Sequence, residues 1–489
     1  MRRFACLATQ VPAIPVDLFR IAVGVLSLVW FAGNLSDAPD TLLSTAIIDH
    51  DLLARVFWFT RWGLFQPGTP DAVLLAAQAA GVVFSITLIL GARPRLSAVL
   101  LYLLAVSTYR WRFLVMYVED AFIHFLLLWT ILLPIGKTFT LRGWLRHGSR
   151  SWSIWREACV PGFVVRALIG SVGLFYLASG LRKWTSPYWR SGFALFATLK
   201  LPVSRNPEFW SVEHQSWLQL MTWATLVLEP LMPVMFVLRR GHPLKGLLFL
   251  AALGLHVGII LTIRVPLANF GCLAVLLLVF RDEIVGANAL PRVGTRLGWR
   301  ERVAMVLLFT IGCAMLRGVP YIGEVHKPAY LALWLGGLAI EYRLFDWIDD
   351  ANVAAEYELF ERPVAGPPRR VPNERLFPPG NRSMLLQAYL HNLVWMPVPA
   401  GERAAIKDSI FAGFARRYVR RWGLDGSMMV MVSRQRCTPD NMELLRGHPS
   451  LLFEFKVANG QVELLRTDPS VRTATNRPAL SVRRSWPGR

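Results

Sequence analysis

The amino-acid sequence predicts an all-α polytopic membrane domain of about eight to ten transmembrane helices, followed by a small soluble α+β C-terminal domain. Hydrophobic residues form 54% of the chain and charged residues only 17%, a balance typical of integral membrane proteins. Several apolar stretches approach or exceed the ~20 residues that a helix needs to cross a bilayer. The predicted spans are residues 16–33, 71–91, 95–110, 118–136, 162–182, 217–238, 244–263, 266–280 and 302–316.

The loops between these spans differ in their basic residues. Arg2 and Arg3 precede the first span, and since no small-residue cleavage site follows it, we expect a retained anchor. Loops on one side carry Arg93 and Arg95, then Lys137, Arg142, Arg146, Arg150 and Arg156, then Arg239, Arg240 and Lys245, while the opposite loops also hold some arginine. The positive-inside rule makes the first set of loops cytoplasmic, which predicts a multi-pass protein of the cytoplasmic (inner) membrane.

A tenth apolar stretch, residues 329–340, is too short to be assigned from the sequence. It either crosses the membrane or lies at the interface or in a soluble core. With nine spans, the C-terminal domain would be extracytoplasmic, and with ten it would be cytoplasmic. The sequence leaves both arrangements open.

The net charge and the cysteines exclude several classes of protein. The formal net charge is +21, but nucleic-acid binding would not explain the membrane spans, so we expect the lipid bilayer as the partner and no nucleic acid. The five cysteines are scattered, and no two form a Cys-x-x-Cys pair. They are typical of small apolar residues, so neither a metal site nor a disulfide framework is expected.

The composition changes near residue 346, which divides the chain into four predicted segments. These are a transmembrane domain at 1–345, a proline-rich linker at 346–380, a small α+β domain at 381–470 and a disordered basic tail at 471–489. Within the third segment, the spacing of apolar residues predicts helices at 384–395 and 402–422. Residues 428–433 form a predicted strand, and 452–457 and 462–465 a predicted hairpin.

Lys183 ends the fifth predicted span in a chain that has only 7 lysines among its 53 basic residues. Arginine stays protonated in proteins, whereas a lysine in a dry cavity can lose its proton. Lys183 is therefore a candidate catalytic base. The alternative is that its ammonium group extends to the membrane interface beside Trp184 and Trp189.

Other ionisable or polar side chains within the spans are candidate site residues, because such groups are costly inside a membrane. They are Glu119, Asp120, His124, Glu229, His256 and Asn269. The alternation of the spans brings Glu119, Asp120, His124, Lys183 and Asn269 to one leaflet, with Glu229 and His256 near mid-depth. We expect one polar cavity suited to proton transfer. Each residue also has a structural interpretation: an interhelical hydrogen bond for His256, an ion pair with an arginine for Glu229, and solvated helix ends for Glu119 and Asp120.

The stretch Tyr176-Leu-Ala-Ser-Gly-Leu-Arg-Lys183-Trp, with Trp189 and Gly192 after it, resembles a segment of the vitamin K-dependent γ-carboxylases and their bacterial relatives, the HTTM (horizontally transferred transmembrane) domain proteins. Further motifs follow in the family's order over residues 16–283. They are Leu18-Phe19-Arg20 with Gly24, Glu119-Asp120 with Trp129 and Pro134, Glu229-Pro230, His256, and Asn269-Phe-Gly. The family usually has Gly-Asp where this chain has Glu119-Asp120, and its large substrate-binding region has no counterpart in the tail.

This resemblance implies a function for the cavity. In the carboxylases, the lysine at the position of Lys183 is the base in hydroquinone oxidation, which drives γ-proton removal from glutamate and addition of CO2. A reduced quinone, O2 and CO2 would then be the co-substrates, His256 a supporting group, and a secreted peptide or protein the substrate that is modified or matured, as for the sporulation-delaying-protein B type. A non-catalytic membrane chaperone or export-maturation factor and a transporter remain as alternatives.

Overall fold

A computed structural model describes residues 10–115, 118–201, 203–281, 298–316, 326–338, 355–377, 384–395, 398–437, 444–458 and 461–467. Within these residues the chain is mostly helical and ends in a β-sheet region. This confirms the predicted order of a helical part followed by a part that contains a sheet. The predicted basic tail, 471–489, and the turn of the predicted hairpin, 459–460, lie outside the described residues.

The first part of the chain is a helical bundle. Its helices are α1 (Ala13–Thr41), α2 (His50–Val56), α3 (Asp71–Ile89), α4 (Pro94–Trp111), α5 (Val118–Leu132), α6 (Leu141–His147), α7 (Ser151–Glu157), α8 (Phe163–Lys183), α9 (Pro187–Arg190), α10 (Ala194–Lys200), α11 (Gln215–Leu231), α12 (Pro243–Thr262), α13 (Pro266–Val279), α14 (Trp299–Met315) and α15 (His326–Leu335). The short strands β1 (Gln10–Pro12) and β2 (Cys159–Pro161) pair antiparallel. The predicted spans match these helices to within a few residues, except that α1 continues to Thr41, beyond the predicted end at 33. Turns of 3-10 helix extend α11 at both ends.

Five helices in the described residues are long and apolar enough to cross a membrane. They are α1, α3, α8, α12, and α11 with its flanking turns, Val212–Phe236. Helix α13 is apolar but shorter. Much of the surface of α3 and α12 is exposed apolar side chain, as expected of helices that contact lipid rather than water.

One end of the bundle is held by a buried ion pair on α1. The Asp17 carboxylate accepts hydrogen bonds from the backbone N–H groups of residues 136–138 at 2.7–2.9 Å and from Arg20 Nε at 2.8 Å. Arg20 in turn donates to the carbonyl oxygens of Leu88, Ile89 and Phe139. Since both side chains are fully buried and fully hydrogen-bonded, they tie the start of α1 to the ends of α3 and α5. We call this the basic end, because the loops at 90–93 and 133–158, which are rich in arginine, lie there.

The opposite end, where α1 and α4 end and α8 reaches Lys183, is the lysine end. Three consecutive carbonyl oxygens, those of Leu335, Gly336 and Gly337, follow the last turn of α15 and accept hydrogen bonds from Arg110, Tyr102 and His124. The end of α15 is thereby attached near the lysine end, where Trp334 also packs on Phe59. This attachment favours the arrangement in which the predicted stretch 329–340 does not cross to the basic end.

The C-terminal domain is a sheet packed on two helices. The strands β3 (Ala355–Pro363), β4 (Arg369–Val371), β5 (Gly426–Cys437), β6 (Leu444–Arg446), β7 (Ser450–Ala458) and β8 (Gln461–Thr467) are antiparallel, in the order β4-β3-β5-β7-β8, with β6 paired to β5. Helices α16 (Met384–Trp395) and α17 (Ala400–Trp422) cover one face. Both helices and the strands β5, β7 and β8 were predicted, whereas β4 and β6 were not.

The predicted proline-rich linker at 346–380 differs from the structure. Strand β3 lies inside it and pairs with β5 along its whole length, from Ala355↔Arg434 to Pro363↔Gly426. The reason is that its buried Tyr357 and Leu359 alternate with charged residues, a half-buried strand pattern, before the proline-rich stretch begins. The domain therefore includes residues from 355 onward.

The C-terminal domain packs directly against the lysine end of the bundle. Asn392 Nδ2 donates to the Leu114 carbonyl at 2.8 Å, and Arg417 forms an ion pair with Asp40 at 2.9 Å. Apolar residues of α17, including Phe411 and Phe414, share one buried cluster with Ile47 and its neighbours from the bundle. The domain is thus fixed at the end where Lys183 lies.

A glycine in α17 permits this docking, which gives a test. A Cβ at Gly413 would overlap the carbonyl group of Ile47, whereas a Cβ at Gly401 of the same helix meets nothing within 4 Å. Gly413→Ala should release the C-terminal domain, measured as faster proteolytic removal of the domain from the purified protein. Gly401→Ala is the matched control and should cleave at the wild-type rate. Equal protection of both variants would contradict this docking geometry.

Candidate functional site

A cavity of about 100 Å3 lies between α8, α11, α12 and α13, below a roof made by α9 and α10. Its walls are mostly apolar, and its polar groups come from a few side chains. The lining residues are Val172, Phe175, Tyr176, Ser179, Lys183, Trp189, Leu195, Thr198, Thr225, Glu229, Leu255, His256, Ile259, Ile263, Val265, Ala268, Asn269 and Cys272. Four predicted site residues, Lys183, Glu229, His256 and Asn269, are therefore brought together in one cavity.

Lys183 is buried and forms an ion pair with Glu229. Its Nζ atom donates to Glu229 Oε2 and, at 3.0 Å, to Ser179 Oγ, one helical turn earlier on α8. The same Nζ lies 5.0 Å from the ring centroid of Trp189, above the ring face. Only 5% of Lys183 is exposed, so its ammonium group does not extend to an interface as the alternative interpretation required. The partner of Glu229 is this lysine and not an arginine.

The ion pair depends on a close approach of α8 and α11. A Cβ at Gly180 would lie 2.6 Å from Pro230 Cδ and 2.7 Å from its nitrogen. Pro230 has no N–H group to hydrogen-bond, so the glycine of α8 can pack directly against this part of α11. The residue before Pro230 is Glu229, which explains how the two helices bring the carboxylate to Lys183.

His256 is held between Tyr176 and Asn269. Its Nδ1 lies 2.8 Å from Asn269 Oδ1, while its Nε2 hydrogen-bonds with the Tyr176 hydroxyl. Asn269 Nδ2 donates to the Val265 carbonyl at 2.6 Å, which orients the amide so that its oxygen faces His256. In a neutral imidazole Nδ1 then carries the proton, because it faces an acceptor, and Nε2 accepts from Tyr176. The cavity thus contains a tyrosine hydroxyl that donates a hydrogen bond to a histidine.

Three predicted members of the cavity do not line it. Glu119 accepts from Leu267 N at 2.6 Å and so holds the start of α13. Asp120 accepts from Arg112 at 3.0 Å and from Trp30 Nε1 at 2.7 Å, and His124 hydrogen-bonds with Gly337. The prediction of one shared cavity was wrong for these residues. Span alternation fixes depth but not direction, and the described part of α5 faces α1, α4 and α13 instead of the cavity.

The four- and seven-residue spacing to Lys183 predicts that Ser179 and Tyr176 lie on the Lys183 face of α8, and both line the cavity. The sequence reasoning missed two other lining residues. Trp189 was interpreted as part of an interfacial aromatic belt, and Cys272 as an inert apolar residue. Both interpretations were reasonable from residue type, since neither residue type indicates a cavity by itself.

Neither a metal site nor a relative identifies the cavity. Among the described residues, no group of three or more His, Cys, Asp or Glu side chains could hold a metal ion. No protein-family model matches the chain, and neither does any curated protein or solved structure. The chemistry of the site has to be argued from its own residues.

The close approach of α8 and α11 can be tested with glycine substitutions in one helix. Gly180→Ala should push Pro230 away and weaken the Lys183–Glu229 pair, at a cost of about 1–3 kcal/mol in the free energy of unfolding. Gly170→Ala is the control, because a Cβ there would meet only Leu308 at an ordinary 3.7 Å. Unfolding of both purified variants in mixed micelles would measure the difference. An equal stability of the two variants would contradict this role for Gly180.

Proposed function

We propose that this chain is a multi-pass protein of the cytoplasmic membrane with an HTTM/γ-carboxylase-like site, in which Lys183 acts as a base while a secreted peptide or protein is modified or matured. The observation that carries the proposal is the buried Lys183–Glu229 pair at the wall of an apolar cavity. The order of the family-like motifs supports it, because Lys183, Glu229, His256 and Asn269 come from four separate motifs and meet in space.

The ion pair explains how Lys183 can become a base inside a membrane protein. A lone neutral or charged lysine would have to exchange its proton with distant water. Here Glu229 accepts from the lysine directly, so a proton can pass from Nζ to Oε2 without changing the net charge of the pair. The transfer would remove two opposite buried charges together. The product is a neutral amine facing the cavity.

Tyr176 and His256 provide a second polar contact on the same wall. Tyr176 donates a hydrogen bond to His256 Nε2, and Asn269 fixes the imidazole ring from Nδ1, so the tyrosine hydroxyl oxygen is held at the cavity wall where it can accept a hydrogen bond from a bound group. Lys183 and Tyr176 lie on one face of α8, so the base and the tyrosine hydroxyl would both face the same bound group. His256 and Asn269 are thus supporting residues, and Lys183 is the proposed base.

The lining also fits the co-substrate that the resemblance implies. An aromatic ring bearing a hydroxyl group needs apolar walls and a few polar atoms on one side, which Phe175, Leu195, Lys183 and Tyr176 together offer. A reduced quinone, when bound together with O2 as the electron acceptor, would supply the oxidation that drives deprotonation of a glutamate side chain. Lys183 would accept the proton of the quinone hydroxyl group.

The position of the C-terminal domain supports a polypeptide as the substrate. The domain docks at the lysine end, which the distribution of basic loops makes extracytoplasmic. A secreted chain would meet both the domain and the cavity on that side.

A second function is favoured by one observation. The Lys183 ammonium group donates two hydrogen bonds and lies over the ring of Trp189, as a purely structural ion pair would. In that case the protein is a non-catalytic chaperone or export-maturation factor for the same kind of client.

The two functions differ in the effect of Lys183→Arg. Arginine keeps the positive charge but cannot deprotonate, so a base would be lost while an ion pair would be retained. We expect Lys183→Arg and Lys183→Ala both to abolish modification at normal protein abundance. The measurement is the mass of secreted peptides from expressing cells, with one added CO2 per modified glutamate as the signal. If Lys183→Arg still yields the modified peptide, Lys183 is not the base.

The proposed orientation gives a separate expectation. In a cysteine-free background, Glu402→Cys in the C-terminal domain and Ser149→Cys at the basic end both create exposed thiols. A membrane-impermeant maleimide should label the first and not the second in intact spheroplasts, and both after lysis. Labelling of Ser149→Cys alone in intact spheroplasts would reverse the orientation.

A further inference from the structure

Helices α6 and α7 lie at the basic end and expose large apolar side chains. Trp144 is 59% exposed, Leu145 69% and Trp152 53%, and Ile154 is also exposed. Leu141 is exposed as well, so two helices of seven residues each carry five exposed large apolar residues, far more than scattered surface residues would explain.

This exposure belongs to a well-packed segment. Thr140 Oγ1 accepts from Gly143 N at 3.1 Å and so caps α6, and Leu141 N donates to the Leu90 carbonyl at 2.8 Å. The ring of Phe139 packs on Trp155 with centroids 5.0 Å apart. One side of the α6–α7 segment is therefore held against the ends of α3 and α5, and the opposite side faces away from the bundle.

The exposed side of the α6–α7 segment is also strongly basic. It carries four exposed arginines, while Glu157 is the only acidic residue between 141 and 157; the arginines are Arg142, Arg146, Arg150 and Arg156. Within the described part of the chain, no carboxylate forms an ion pair with these guanidinium groups. Four unpaired cations beside tryptophan and leucine side chains require an anionic and partly apolar partner.

We propose that the α6–α7 segment binds anionic lipid headgroups of the leaflet at the basic end, with its exposed tryptophan and aliphatic side chains in the interfacial layer. The apolar helix α3 ends beside the segment, and the apolar helix α8 begins beside it. The segment therefore lies at the depth where a spanning bundle leaves the hydrocarbon layer. Guanidinium groups match phosphate oxygens in charge and geometry. This proposal does not depend on the chemistry of Lys183.

The test compares the full-length protein in nanodiscs of phosphatidylcholine alone and of phosphatidylcholine with phosphatidylglycerol. Hydrogen–deuterium exchange over 141–157 should slow at least about threefold when the anionic lipid is present. Raising the salt concentration to about 0.5 M should remove most of this protection, because exposed charges are then screened.

A charge-matched pair of variants makes the result specific. Replacing Arg142, Arg146, Arg150 and Arg156 with Gln should abolish the lipid-dependent protection. Replacing four exposed arginines at the other end, Arg55, Arg190, Arg362 and Arg421, with Gln should leave it intact. Equal exchange in both lipid mixtures would overturn the proposal. The proposal would also be overturned, in favour of a protein partner, if an added acidic protein slowed exchange over 141–157 in phosphatidylcholine alone and phosphatidylglycerol had no effect.

Discussion

The ion pair of Lys183 and Glu229 is the interaction on which the cavity depends. Both side chains are removed from water inside a helical bundle, where an unpaired charge would be strongly destabilising. Each therefore needs the other, and the requirement fixes α8 against α11 at one height. The same pair makes Lys183 chemically useful, since it provides a local acceptor for the lysine proton.

The rest of the cavity is arranged around this contact by small structural features. Gly180 lets the two helices approach, and the roof of α9 and α10 is held to α11 by hydrogen bonds such as Gln219 Nε2 to the Ser191 carbonyl, 3.1 Å long. Glu119 lies outside the cavity, yet it holds the first turn of α13 from which Asn269 orients His256. A residue can therefore shape the site without lining it.

The sequence predicted the helices and the depth of the polar residues better than their directions. Apolar stretches of the right length set helix bounds locally, so most of the predicted spans and the predicted strands at β5, β7 and β8 agree with the structure. Direction depends on tertiary packing, and so Glu119 and His124 were wrongly grouped with the cavity. Strand β3 was missed for two reasons. The prolines after it dominate the local composition, and its pairing with β5 is set by residues that are distant in the sequence.

The central claim is that Lys183 and Glu229 act as one buried unit. A double-mutant cycle with Lys183→Met, Glu229→Gln and the combined variant measures this directly as free energies of unfolding in mixed micelles. Each single change leaves a buried group without its partner and should cost about 3–5 kcal/mol. The combined variant should be more stable than the sum of the two effects predicts, by about 2–3 kcal/mol. Additive effects, or single changes that each cost less than about 0.5 kcal/mol, would contradict the account.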